Sequence, residues 1–169
     1  MRKQYSKTKE IKGKTPEERQ QEAVRRAMGL LLYKDRTVRE LQDRLAEDGY
    51  TEEECEAALT YVSSFGYLND RRYAENFIHK KGSTQSRSAL AAELRRAGVE
   101  EGLISEAMED SPWEESQVMQ TLLQKRYGEP HRLEEKEVRR AWGYLGRRGF
   151  SGDGIRRSLA AYQERAEQA

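Results

Sequence analysis

The chain is short of the residues from which most catalytic sites are built. It has one cysteine, Cys55, and two histidines, His79 and His131, in 169 residues. A single thiol can form no internal disulfide, which suits a reducing compartment. Two isolated imidazoles and one thiol offer neither metal-ligand spacing nor a nucleophile–base pair. A Gly-rich phosphate loop followed by Lys and Ser or Thr is missing, so the chain is not expected to hydrolyse nucleotide. Apolar runs fall well short of the roughly 20 residues of a membrane span, and the first 14 residues have no apolar signal core. The expectation is a soluble cytoplasmic protein, not an enzyme, with no catalytic residue, metal, cofactor or membrane contact. Net charge is only +1, which argues against a globally basic nucleic-acid binder and makes the location of the charge the informative quantity.

What the sequence does contain is a triple internal repeat. Leu41, Leu45, Gly49, Cys55, Ala58 and Leu59 lie 49 positions before Leu90, Leu94, Gly98, Ile104, Ala107 and Met108. A further step of 51 gives Ala141, Leu145, Gly149, Ile155, Ser158 and Leu159. A repeat of this length is one supersecondary unit that buries its apolar face by packing on its neighbours. With 36% of residues hydrophobic and 36% charged, each unit can hide only a thin core.

The starts and stops of helices are written locally. Thr15-Pro16 with Glu18, Thr51 with Glu54, and Ser111-Pro112 with Glu114 are N-terminal signals. Gly49, Gly98 and Gly149 follow apolar residues spaced four apart, where a left-handed residue closes a helix. Pro occurs only at 16, 112 and 130, outside helix interiors, and no useful stretch alternates as a strand does. The pattern predicts helices over 16–34, 38–48, 52–65, 71–81, 85–97, 101–109, 112–127, 134–148 and 152–165. The fold class is therefore all-α, with three tandem three-helix repeats over 15–65, 66–110 and 111–169 forming an elongated, curved stack. Residues 1–14 carry six Lys or Arg against Glu10 and are expected to be a disordered basic arm.

Three candidate features take structural readings. Cys55 shares its repeat position with two isoleucines and reads as a small hydrophobe. His79 sits near a helix end, where a cation suits the dipole. Glu52, Glu53 and Glu54 occupy a first helical turn, where negative charge is favourable. The helix, Gly turn, helix order invites comparison with DNA-reading helix-turn-helix motifs, whose second helix meets phosphates with its first turn. Here those turns read Thr51-Glu52-Glu53-Glu54 and Val99-Glu100-Glu101, which repel phosphate. Only the third copy, 151–157, escapes the objection.

The middle helix of the third repeat stands apart. At 100° per residue, Val138, Ala141, Trp142 and Leu145 form its core stripe. Lys136, Arg140, Tyr144 and Arg147 lie roughly 160° to 240° round from Val138, on the opposite side. Basic side chains with an interleaved aromatic suit phosphate contact or docking on an acidic surface. Arg139, Arg148, Arg156 and Arg157 add charge beside this stripe, and Arg71, Arg72, Lys80 and Lys81 bracket another helix as a second patch. Tyr73, Ala74, Phe77 and Ile78 read as core, as do Leu30, Leu31 and Tyr33 in the first repeat and Leu122, Leu123 and Tyr127 in the third.

Gly66-Tyr67-Leu68-Asn69-Asp70, followed by Arg72-Tyr73-Ala74 and Phe77-Ile78, resembles the signature of the RecX regulatory proteins of bacteria. Arg36-Thr37, Glu40-Leu41 and Leu45, and Glu93-Leu94 with Arg96, Gly98 and Val99, are similar to the same family, over about residues 25–165. The chain departs from it where many relatives have Gly-Pro entering the second helix of the second repeat; here the residues are Ser86-Arg87. The resemblance implies a regulator that binds the RecA nucleoprotein filament on single-stranded DNA, and the chain is expected to be a monomer. It further implies restraint of filament extension and of ATPase, strand-exchange and coprotease activities, and hence a role in recombinational DNA repair and the SOS response. Two rivals are a helical-repeat DNA-binding protein acting independently of RecA and a protein scaffold that ignores nucleic acid.

Overall fold

The computed structural model describes residues 13–112 and 114–167. The described residues contain helices and no strand: α1 (Pro16–Tyr33), α2 (Val38–Glu47), α3 (Glu52–Ser64), α4 (Asp70–Lys81), α5 (Arg87–Arg96), α6 (Glu101–Glu109), α7 (Glu115–Tyr127), α8 (Glu135–Gly146) and α9 (Gly152–Glu167). The expected arm lies outside the described residues except for Gly13 and Lys14, and the Lys14 ammonium pairs with Glu22 at 2.9 Å.

The local signals work as their chemistry requires. Thr15 Oγ1 accepts the Glu18 amide at 3.2 Å while the Glu18 carboxylate accepts the Thr15 amide at 2.8 Å. Thr51 and Glu54 repeat this reciprocal box at 3.3 and 2.8 Å. Gly49, Gly98 and Gly149 have φ of +92°, +89° and +84°. Each is followed by a residue whose amide reaches back to the last core leucine of its helix: Tyr50 to Leu45, Val99 to Leu94, Phe150 to Leu145. The glycine amides bond to Ala46, Arg95 and Gly146. This is the Schellman closure, built three times from the same repeat position.

One start differs from expectation. The Ser111-Pro112 signal opens no helix, and α7 begins at Glu115 with Glu114 as its cap. The Ser111 amide is taken by the Met108 carbonyl at 3.4 Å, so Ser111 closes α6 instead of opening α7.

The repeat positions form the core. Leu41, Leu45, Leu90, Leu94, Ala141 and Leu145 have no exposed surface, and Cys55, Ile104 and Ile155 have 2% or less. Each such aliphatic side chain contributes about 1.5–3 kcal/mol by leaving water. Ala74, Ile78, Leu122 and Leu123 are buried as expected, with Tyr73, Phe77 and Tyr127 packed beside them. Two expected core residues are not. Tyr33 is 88% exposed, because α1 ends there and the ring projects past its partners; Trp142 is 39% exposed. The Trp142 ring sits at the edge of the core sector and lies over Gly152, where a Cβ would stand 3.5 Å from it.

The chain divides into two compact units, one ending at Asp70 and one starting at Arg71. The first holds α1–α3 and the Gly66–Asp70 run. Leu68 is buried in this unit's core, and the Asp70 carboxylate accepts the Val38 amide at the start of α2 at 2.9 Å. Burial, opposed by that hydrogen bond and reinforced by Glu40, pushes the Asp70 carboxyl above its ordinary range. Arg19 ties the first turns of α1 and α3 together through both Glu54 oxygens, at 2.5 and 2.8 Å.

The second unit holds α4–α9, and its two repeats meet at a polar seam. The Ser86 amide donates to the Arg148 carbonyl at 3.0 Å, and Ser88 Oγ donates to the Gly149 carbonyl at 3.3 Å. A Cβ on Gly149 would stand 2.7 Å from both Ala89 Cβ and Ser86 Oγ. The Arg87 amide donates to the Glu115 carboxylate at 2.6 Å. A proline at that position would have no N–H to give, so the Ser86-Arg87 departure carries bonds of its own.

Candidate functional site

Helix α8 owes its orientation to Ala141 and Leu145, which are fully buried among α7 and α9 residues of the third-repeat core. This turns Lys136, Arg140 and Arg147 outward, where all three are exposed. None of the three side chains makes an ion pair or hydrogen bond with any described residue. The Arg147 guanidinium folds back over Gly143, within 3.3 Å of where a Cβ would be. These three cations are therefore available to an outside anion with no internal partner to displace.

The fourth stripe residue differs from its sequence reading. Tyr144 is half-buried and packed against the third-repeat core. The Arg148 guanidinium carbon lies 3.9 Å from its ring centroid and that of Arg126 lies 4.5 Å away. Both are well inside the range of cation–π attraction. Arg148 also donates to the Tyr144 carbonyl at 3.2 Å. The helical-wheel projection places Tyr144 correctly relative to α8, but the end of α7 covers that side of the helix. Arg126 was not legible as part of this cluster, since it is 18 positions away in sequence; its only local signal is a Lys125-Arg126 pair in the last turn of α7.

The remaining predicted cations are more engaged. Arg139 pairs with Glu135 at 3.4 Å and Arg156 with Asp153 at 2.5 Å. Both pairs are exposed and easily exchanged for another anion. Arg157 is exposed on α9 and lines an open groove with Arg165, Gln120 and Gln124. Arg71 spans Glu75, Glu106 and Asp110 at 3.1, 3.1 and 3.3 Å, which makes it a tie between α4 and the end of α6. Lys81 pairs with Glu93 at 2.5 Å and lies 4.6 Å from the Phe77 ring centroid. Arg72 and Lys80 are exposed on α4. The structure thus brings Arg126 and Arg148 together against Tyr144, and gives Arg71 and Lys81 of α4 internal carboxylates.

The first unit has its own exposed feature. Tyr61, Phe65 and Tyr67 are 46%, 59% and 51% exposed, with ring centroids 4.9 and 6.1 Å apart along the series. Exposed rings in a group suit burial against another molecule. Cys55 has no such role. It is buried, and that burial, with Glu54 and Glu52 nearby, pushes its thiol above the usual range, so the nucleophilic thiolate is scarce. Among the described residues no group of His, Cys, Asp and Glu could hold a metal ion, and no helix is long and apolar enough to cross a membrane.

Comparison with known proteins places these observations. Models of the first, second and third three-helix domains of RecX match residues 23–61, 69–108 and 114–159. The chain belongs to the RecX family. The protein named Regulatory protein RecX from Stenotrophomonas maltophilia (strain K279a) is 32% identical over 149 residues, covering 86% of this chain and 90% of the relative. Regulatory protein RecX from Amycolatopsis mediterranei (strain U-32) is 36% identical over 139 residues, covering 80% and 79%. The crystal structure of RecX from Lactobacillus salivarius superposes with a TM-score of 0.70 at 20% identity, covering 86% of this chain and 97% of the other. A second crystal structure, of regulatory protein RecX, gives 0.67 at 22% identity. The chain thus shares its fold with the two crystal structures and its family with the two regulatory proteins.

Proposed function

We propose that this chain is a cytoplasmic, monomeric regulator that binds the RecA filament on single-stranded DNA and opposes its extension. In this reading it lowers the filament's ATPase, strand-exchange and coprotease activities, and so modulates recombinational repair and the SOS response. The observation that carries the reading is the match to all three RecX domains along one chain. The chemistry of the α8 face supports it: unpaired, exposed Lys136, Arg140 and Arg147 suit a partner rich in phosphate or carboxylate. Regulation by occupation requires no reacting group.

The test is RecA filament growth on long fluorescent single-stranded DNA with this protein present at a small fraction of the RecA concentration. The reading expects growth to stop early and strand exchange to fall with it. Undiminished filament length at equimolar protein would overturn it. Tight binding to duplex DNA with no effect on RecA would favour the RecA-independent reading instead.

A further inference from the structure

We propose that Arg126 and Arg148, held against Tyr144, form a phosphate clamp for the backbone of single-stranded nucleic acid. The proposal rests on the reading of the α8 face as a nucleic-acid contact and names the residues and the ligand group at one end of it. Two guanidinium groups share one phenol ring, at 4.5 and 3.9 Å from its centroid. That brings two like charges within one Debye length, about 10 Å in 0.1 M salt. Neither makes an ion pair with any described carboxylate, in contrast to Arg71, Arg95, Arg139 and Arg156. An arrangement that concentrates uncompensated charge against a fixed ring gains most when an anion is added.

The chemistry of the pair selects the anion. Stacking on an aromatic face orients a guanidinium, and its planar fork then meets a phosphate through two parallel N–H bonds. Arg148 spends one N–H on the Tyr144 carbonyl, which fixes its plane and leaves the other donors available. Arg126 is exposed, whereas Tyr144 and Arg148 are half-buried, so the clamp is open on the α7 side. Tyr144 cannot rotate away freely, because it packs on the third-repeat core. Arg140 lies one helical turn before Tyr144, and Arg147 follows on the exposed side. A strand contacting the clamp therefore finds further cations along α8, which fits a chain of phosphates better than an isolated carboxylate.

The experiment is fluorescence anisotropy with a labelled oligo-dT, at several salt concentrations and with no RecA present. The proteins compared are wild type, Arg126→Ala, Arg148→Ala, the double variant, Arg126→Lys and Tyr144→Leu, each first checked for unchanged helical circular dichroism. The clamp predicts that the double variant binds about tenfold to thirtyfold more weakly at low salt. The slope of log K against log salt should fall by about 0.7 for each phosphate that is no longer neutralised. Arg126→Lys should restore the slope but not the full affinity, since the ammonium lacks the fork. Tyr144→Leu should weaken binding with the slope nearly kept, because it removes the ring that aims the arginines and no charge.

Equal affinity and equal slope in the folded double variant would overturn the proposal, as would undetectable DNA binding by the wild-type protein at low salt. If the double variant kept its DNA affinity but lost binding to RecA alone, the clamp would be a protein contact and the proposal would be wrong. Because no RecA enters the DNA assay, the clamp can fail while the filament regulator reading stands.

Discussion

Gly49 and Gly149 close their helices with the same backbone, φ of +92° and +84°, yet their surroundings differ. Nothing stands within 4 Å of a Cβ on Gly49, whereas one on Gly149 would meet Ala89 and Ser86 at 2.7 Å. Gly49→Ala should therefore cost only the left-handed strain, about 1 kcal/mol. Gly149→Ala should add the cost of forcing the seam apart, for a total of about 2–4 kcal/mol. Urea unfolding of the two variants checks this ordering. Glu54 supplies a prediction in pH. Its hydrogen bonds to Arg19 hold its carboxyl below the usual 4.5, with burial opposing and the Thr51 amide assisting. A depressed carboxyl stabilises the fold above its unfolded value and loses that contribution as pH falls through the folded value. Glu54→Gln should thus cost about 1–2 kcal/mol at pH 7, and the gap to wild type should close below about pH 4.5. Thermal melts of the two proteins between pH 7 and pH 3 measure it.

Helix α8 was legible in outline because its core spacing is local and its Gly149 closure follows directly in sequence. The same holds for α1 and α3, whose capping boxes are spelled within four residues. What sequence could not supply was the third dimension around each helix. Trp142 falls 40° from Val138 on the wheel, inside the core sector, yet no element covers its outer edge. Tyr144 falls on the far side, yet Arg126 of α7 reaches it. The seam of Ser86 with Arg148 joins residues 62 positions apart and left no local trace. The exposure of Lys136, Arg140 and Arg147 was legible, because it depends only on the turn of α8 itself. Replacing Arg140 and Arg147 together by Glu should shift stability by less than about 0.5 kcal/mol, as expected for exposed residues without internal partners. Urea unfolding of that double variant establishes that it is folded before any functional comparison is made.

Across the whole molecule, a net charge of +1 conceals a segregated distribution. Carboxylates collect in first helical turns such as Glu52–Glu54, while unpaired arginines and a lysine collect on α8. The basic residues 1–14 should add salt-sensitive attraction without specificity. Among the described contacts, their deletion removes the half-exposed ion pair of Lys14 with Glu22, worth little to folding. The deletion should leave the stoichiometry of RecA inhibition unchanged while reducing its dependence on salt, which titrations at two salt concentrations would show. The most direct test of the account is the RecA ATPase on single-stranded DNA, titrated with wild-type protein and with the Arg140→Glu, Arg147→Glu double variant. The account predicts inhibition by the wild-type protein far below the RecA concentration, and inhibition by the folded double variant weakened by tenfold or more. Equal inhibition by both would contradict the α8 face as the site of action, and no inhibition by either, with RecA active in the same assay, would contradict the regulator itself.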